Sequence, residues 1–239
     1  VFLYQSIHFD HHKQNFYGTD KDGEYFPFAL KGRKWIVIHV LFSFLVPIIF
    51  LARFSVLTPL SQINKKLRYF LMARMSALVI DLDYQRPESS WKNAEDWKIQ
   101  EFWACIFAWA FLGAVLTEII PVMALILWYC VEVLIFLVNS IRTLGAHRYQ
   151  NPKKDEMSYP GQMLDSVNIP GNRCLTPLWA PVGLRFHATH HLFPDLPYHA
   201  LEEAHRRLIM DQGENSIYGQ TVCSGLLPTL SRLWKQAAN

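Results

Sequence analysis

The stretch FWACIFAWAFLGAVLTEIIPVMALILWYCVEVLIFLV, from Phe102 to Val138, is almost uninterrupted apolar sequence. It is too long for one membrane crossing, which takes about 20 residues, and about right for two. Glu118 and Pro121 lie near its middle, where a tight turn would place the carboxylate in water. The sequence therefore predicts a helical hairpin, about 101–119 and 122–143, that crosses a membrane twice.

The apolar and amphipathic segments before this hairpin predict shorter elements. The block from Trp35 to about Ala52 is short and contains Pro47, which favours a re-entrant or interfacial pair of short helices over a full crossing. The stretch from about Pro59 to Leu82 is amphipathic, as is typical of a helix in the headgroup plane and also of a core-packed surface helix. Residues 84–98 are polar and predict a loop.

The distribution of charge predicts the topology. Segments 1–34, 53–100 and 142–239 each carry several Lys or Arg, so the positive-inside rule places all three on the cytoplasmic side. A net charge of +3, without a basic patch that interleaves aromatics, argues against nucleic acid as a partner. We predict a single all-α domain over residues 1–239, an integral-membrane helical bundle that carries a cytoplasmic helical cap.

Six of the ten histidines form two copies of the pattern HxxHH. On an α-helix, positions i, i+3 and i+4 fall within an arc of roughly 100°, so each triplet directs three imidazoles into a small volume. Several neutral imidazoles that converge can bind iron, copper or zinc, and these residues alone do not choose among the metals. We predict that the two triplets share a metal centre on the cytoplasmic side. The predicted ligands are His8, His11, His12, His187, His190 and His191.

Longer motifs around these triplets resemble the membrane fatty-acid desaturases, which carry three histidine boxes. The first triplet, continuing into KQNFYGTDKDGEYFPFA, resembles the second box, and LRFHATHHLFPDLPYHALEEAHRRL resembles the third box. NSIRTLGAHRYQ, from Asn139 to Gln150, resembles the element before the third box. The first box is absent from this sequence, so we expect that its N-terminal part is missing and that the chain alone is inactive.

The resemblance implies two iron ions as cofactor, O2 as co-substrate and a fatty-acyl substrate reached from the bilayer. It implies electrons from a ferredoxin or a small b-type cytochrome, for which the surface around Arg206 and Arg207 is the predicted docking site. It also implies that His147 is a further ligand and that Asn139 contributes through a water. A histidine that compensates the dipole at a helix C-terminus is the alternative for His147.

The reaction implied by the resemblance is O2-dependent desaturation of a fatty-acyl chain. A hydroxylase of the same superfamily, acting on alkanes, acyl chains or carotenoids, is the second interpretation, and a membrane metal-binding protein without enzymatic activity is the third. Three other histidines, His39, His199 and His205, are predicted to be structural. The predicted tunnel residues, which could equally face lipid, are Phe102, Trp103, Phe107 and Trp109. Candidates to accept the distal N–H of a ligand are Asp10, Asp20, Asp22 and Glu24.

Overall fold

The computed structural model describes residues 3–4, 6–152, 155–172 and 174–238. Within these ranges the regular secondary structure is helical, and β pairing is limited to isolated bridges, which confirms the all-α prediction. Short 3₁₀ turns and one π-helical segment, Arg53–Leu57, interrupt the α-helices. The α-helices are α1 (Ile7–His11), α2 (Phe28–Lys31), α3 (Arg33–Phe42), α4 (Val46–Ala52), α5 (Thr58–Ser61), α6 (Lys65–Arg74), α7 (Glu95–Leu116), α8 (Val122–Ala146), α9 (Tyr159–Asp165), α10 (Thr176–Trp179), α11 (His187–Leu192), α12 (Leu201–Gln212) and α13 (Leu226–Gln236).

The long apolar stretch forms the predicted hairpin. Helices α7 and α8 are both long and apolar enough to cross a membrane. Between them Glu118 is exposed and adopts a left-handed backbone conformation (φ 59°), and Pro121 immediately precedes α8. Helix α7 begins at Glu95, inside the segment predicted to be a loop. This extension is stabilised because two acidic residues occupy its first turn and Trp97 is buried against Met72.

The block around Pro47 forms two helices, as predicted. Helix α3 and the run from Val46 to Ser61 meet at an angle of 51°. Pro47 lies in the first turn of α4, where its missing N–H removes no helical hydrogen bond. In the break, the Ser43 hydroxyl lies 2.9 Å from the Ser140 hydroxyl of α8. The pair is either one broken span or a re-entrant loop, so the prediction of short helices is confirmed at the level of secondary structure.

The amphipathic stretch is shorter than predicted. It forms α5 and α6, and the side chain of Asn64 caps α6 by accepting from two backbone N–H groups of its first turn. Helix α6 ends at Arg74, so the prediction of helix as far as Leu82 is wrong. The chain turns back instead, because the Arg74 guanidinium donates to the carbonyl of Leu82 and the N–H of Leu78 donates to the carbonyl of Leu3.

An aromatic core at the C-terminal end of α8 brings the two ends of the sequence together. Tyr17, Tyr25, Phe28 and Tyr149 are all buried and pack in one cluster with side chains of α13. The Tyr149 hydroxyl donates to the carbonyl of Thr143, which ties the segment after α8 back onto the helix. This packing places α1 and the residues that follow it beside the C-terminal end of α8 and the start of α11.

Candidate metal centre

The two histidine triplets converge, together with His147, at the end of α8. Seven ring nitrogens form two adjacent groups, and within each group the possible ligand atoms lie within 4.8 Å of one another. All members of the first group are buried, whereas two members of the second are half-buried. The geometry brings the two triplets together as the sequence predicts, and metal binding by these residues stays a prediction. The first group is His11, His147, His187 and His191, and the second group is His8, His12 and His190.

Each triplet is divided between the two groups, which differs from the prediction of three imidazoles per volume. His8 and His12 belong to the second group while His11 belongs to the first, and the second triplet is divided in the opposite sense. The cause is helical geometry, because positions i and i+4 lie about 40° apart whereas i+3 and i+4 lie about 100° apart. An i, i+4 pair therefore faces one centre, and the i+3 histidine between them faces the other.

The arrangement of protons in the first group fits a bound cation. His11 Nδ1 lies 2.8 Å from Asp22 Oδ2, so it donates its proton there and leaves Nε2 with a bare lone pair. Tyr17 donates its hydroxyl proton to Asp165 and so accepts from His147 Nδ1, at 2.8 Å. The Nε2 atoms of His11 and His147 are nevertheless only 3.3 Å apart. Two lone pairs at this distance repel each other unless a proton or a metal ion lies between them, so these residues fit a metal ion.

Burial keeps most of these imidazoles neutral, as a metal ligand must be. Desolvation, followed by the neighbouring positive charges, lowers the pKa of His147, His187 and His191 well below its usual value. The same causes lower the pKa of His190 to about 4. His11 is the exception: burial lowers its pKa, but the charge and hydrogen bond of Asp22 outweigh this effect and raise it overall. The Asp22 carboxylate therefore favours a positive charge at His11, whereas burial disfavours one at the other three histidines of the first group.

Two of the four candidate carboxylates contact the histidines. Asp22 bonds to His11 as described, and it also accepts from the N–H groups of Gly18 and Glu24. Glu24 accepts from His8 Nδ1 at 3.0 Å. Asp10 pairs instead with Lys13, and Asp20 is exposed. Of the four predicted carboxylates, only those of Asp22 and Glu24 therefore lie within hydrogen-bonding distance of an imidazole.

Replacing Asp22 with Asn is expected to weaken metal binding by about 10–100-fold, the usual effect of losing a carboxylate behind a histidine ligand. The amide removes the charge and the fixed acceptor that orient His11. Competition titration of the purified protein with a metal chelator measures the change. Asp20→Asn, two residues away but exposed, is the matched control and should leave affinity unaltered. Equal effects of both substitutions would contradict a specific role for Asp22.

A third carboxylate, that of Asp165, lies behind His147 and was not predicted from the sequence. Asp165 Oδ2 is 3.7 Å from His147 Nδ1 and is bridged to it by the Tyr17 hydroxyl. Burial raises the pKa of Asp165 to about 6, which its hydrogen bonds from Tyr17 and the Gln150 N–H partly oppose. Tyr17 and Asp165 are separated by 148 residues. No local sequence pattern predicts the pair of Tyr17 and Asp165, because only the packing of α9 against the residues that follow α1 brings the two side chains together.

A cavity of about 610 Å³ begins at the histidines and extends between α3, α4 and α8. It includes residues from Phe136 to His147 of the α8 segment, a length of roughly 16 Å at the helical rise. Its volume and mostly apolar lining are typical of a site for a small molecule or a lipid chain. The apolar lining side chains include Phe42, Val46, Ile49, Phe50 and Phe136.

The predicted tunnel residues do not line this cavity. All four side chains are exposed on α7, namely Phe102, Trp103, Phe107 and Trp109. Helix α7 packs against the π-helical segment rather than against the cavity, and the Trp109 indole donates to the carbonyl of Ser55 in that segment. The tunnel prediction is therefore wrong. These side chains instead present an apolar surface suited to lipid.

The remaining predicted residues have different surroundings. Asn139 lies in neither histidine group, and its amide oxygen accepts from Arg142 at 2.8 Å, so a contribution through a water stays a prediction. His205 is buried and bonds to the Tyr218 hydroxyl, whereas His199 is exposed. Arg206 and Arg207 both pair with Glu203 on the same helix, so this surface is less basic than the sequence suggests.

Comparison with known proteins agrees with the motifs and the geometry. A family model described as fatty acid desaturase matches residues 1–218. The chain belongs to the fatty acid desaturase family. One relative, a ceramide hydroxylase from Caulobacter vibrioides (strain NA1000 / CB15N), is 34% identical to this chain over 235 residues. The match covers 98% of this chain and 66% of the relative, and no solved structure matches.

Proposed function

We propose that this fatty acid desaturase family member oxidises the hydrocarbon chain of a membrane lipid with O2 at two histidine-bound iron ions. The leading substrate is a ceramide-type lipid and the leading reaction is hydroxylation. One observation carries the proposal: the two groups of histidines, which together offer seven ring nitrogens, lie at one end of an elongated apolar cavity. The prediction from sequence ranked desaturation first, but the relative supports hydroxylation at least as well.

One set of residues would bind the two metal ions, and another set would bind the lipid. The iron pair, with O2 and two electrons from a ferredoxin or a b-type cytochrome, would supply the oxidant for an unactivated C–H bond. The histidines hold the two ions, and Asp22, Glu24 and Asp165 orient three of them by their Nδ1 atoms. The cavity walls fix one segment of the lipid chain beside the ions and keep water away from it.

Hydroxylation and desaturation place different demands on the cavity. Both begin with removal of hydrogen from a methylene. Hydroxylation then adds one oxygen atom to that carbon, whereas desaturation removes a second hydrogen from the adjacent carbon. The position of that adjacent carbon relative to the two histidine groups therefore decides the product. The family description favours desaturation and the relative favours hydroxylation, so desaturation is the second candidate.

The expected location is a membrane, with the metal centre on its cytoplasmic side. Two helices long and apolar enough to cross support membrane insertion. The histidine groups lie where α8 ends, and the start of α7 belongs to the same end of the hairpin. The basic segments that flank the hairpin support a cytoplasmic position for this end.

Lipid extracts from cells that express the protein are expected to contain ceramide with one additional oxygen atom, measured by mass spectrometry after feeding deuterated ceramide. Two forms are compared: the 239-residue chain, and this chain joined to the part of the Caulobacter relative that it does not match. Product from the joined form alone would support the expectation that the 239-residue chain is inactive by itself. Turnover by the 239-residue chain would overturn it.

The outcomes separate the candidate reactions. Loss of two hydrogens in place of a gain of oxygen would identify desaturation. His187→Ala, which removes a histidine of the first group, should abolish either product, whereas His199→Ala at an exposed position should not. Unchanged lipids in both forms, despite bound iron, would overturn the proposed function.

A further inference from the structure

An arginine of the membrane helix α8 lines the cavity close to the histidines. Asn139, Arg142 and Thr143 occupy positions i, i+3 and i+4, which form one face of a helix, and all three line the cavity. Arg142 precedes His147 in the sequence by five residues, a rise of about 7.5 Å along the helix axis. Charged side chains in membrane-spanning helices are costly and usually serve a function. A ligand in this part of the cavity would therefore lie within reach of the guanidinium.

The guanidinium of Arg142 has only a neutral partner among the described residues. It donates one hydrogen bond to the amide oxygen of Asn139, at 2.8 Å, and forms no ion pair in the part of the chain that the structure describes. A guanidinium carries five N–H donors, so most of its donors are unused. Arg142 is half-buried, and none of its nitrogens is both enclosed and unpaired. The unused donors are therefore accessible from the cavity.

The described acidic side chains that line the cavity do not pair with Arg142. Glu24 accepts instead from His8 Nδ1 at 3.0 Å. Asp81 accepts from the backbone N–H of Asp83, and the Asp83 side chain is exposed. A charge inside a protein is costly unless it is paired, and metal ions bound by the histidines would add further positive charge to this region. The cavity therefore favours a ligand that brings negative charge.

We propose that Arg142 binds a carboxylate or phosphate at the polar end of the lipid and so determines which lipids the cavity accepts. The inference rests on the proposed function, because it assumes that the cavity holds the lipid substrate. The planar guanidinium suits either group, since it can donate two parallel hydrogen bonds to a pair of oxygen atoms. In a ceramide-type lipid the anionic group is a phosphate on the headgroup, and in a simple acyl chain it is the terminal carboxylate. The carbon that reacts lies in the part of the chain next to this group, because Arg142 adjoins the histidines.

The test measures binding of two pairs of tritiated lipids to the purified chain in micelles of a neutral detergent. Ceramide 1-phosphate is compared with ceramide, and palmitate is compared with palmitamide. Wild type is expected to bind the anionic member of at least one pair about 10–100-fold more tightly, the usual effect of a charge-assisted hydrogen bond. The pair that shows the preference identifies the anionic group as phosphate or carboxylate. Arg142→Gln removes the charge and should bind both members alike, whereas Arg142→Lys keeps the charge without the planar fork and should keep part of the preference.

The matched control is Arg207→Gln, the same substitution at an exposed position of α12 outside the cavity, which should retain the full preference. Equal binding within both pairs by wild type overturns the inference, even if the Arg142 variants fail to fold. A preference for the anionic lipid that survives in Arg142→Gln also overturns it. A preference that depends on Arg142 without oxidation of any bound lipid contradicts the proposed function alone. Oxidation of a lipid by wild type with no preference in binding contradicts the role of Arg142 alone.

Discussion

Replacing His147 with alanine is expected to lower metal affinity by more than about 100-fold, so that the purified protein retains little metal. His147 supplies one of four buried ring nitrogens in the first group, and its Nε2 lies 2.9 Å from that of His187. Loss of a residue that only orients a ligand costs about 10–100-fold, so loss of the ligand itself should cost more. Elemental analysis gives the metal content, and Fe(II) competition with a chelator gives the affinity.

The control for His147 must also be a buried histidine. His205 is buried, and its Nδ1 bonds to the Tyr218 hydroxyl at 2.7 Å, yet it belongs to neither group. His205→Ala should therefore keep the metal, even if it lowers the melting temperature. Equal metal loss from both variants would mean that the effect arises from disturbed packing. Full metal retention by His147→Ala would favour the alternative that this residue only compensates the helix dipole.

The second large effect is expected at Glu101, whose replacement by alanine should destabilise the protein by about 3–5 kcal/mol. Glu101 Oε1 lies 2.9 Å from Arg53 Nη2, and its Oε2 lies 2.6 Å from Arg68 Nη2. The Arg53 side chain is 0% exposed. Removing the carboxylate leaves this guanidinium buried without its anion, which costs far more than the net contribution of the intact pair.

Thermal unfolding in detergent measures this effect, as a decrease in melting temperature on the order of 10 °C for a protein of this length. Glu95→Ala on the same helix is the control, because Glu95 is exposed and pairs only at the surface with Lys98. Exposed pairs contribute little, so the control should melt close to wild type. Similar melting temperatures for the two variants would show that the buried pair does not stabilise the fold.

The arrangement around Arg53 also explains the charge in α7. Glu101 lies near the start of a helix that is otherwise apolar, and it is buried by Arg53 and Arg68 from the preceding segments. Its place in the sequence reveals a charge beside a predicted crossing but not its partners. The two arginines come from the π-helical segment and α6, and only the folding of these segments against α7 brings them within reach.

Local sequence determined the helical hairpin and the histidine triplets. An apolar run of this length, with a charge and a proline at its middle, has few alternatives to two crossing helices because the backbone must satisfy its own hydrogen bonds in lipid. The spacing of HxxHH likewise requires a helix if the three rings are to converge. Both features depend on residues within a few turns of one another, so both can be predicted without the fold.

Tertiary structure alone decided which histidines act together and what lies around them. The i+3 histidine of each triplet joins the other triplet's group, Asp165 reaches His147 through Tyr17, and the cavity lies between α3, α4 and α8 rather than along α7. Each of these contacts joins residues far apart in the chain. Their sequence spacing carries no periodic signal, because the packing of one helix against another, rather than the pitch of either helix, sets the distances.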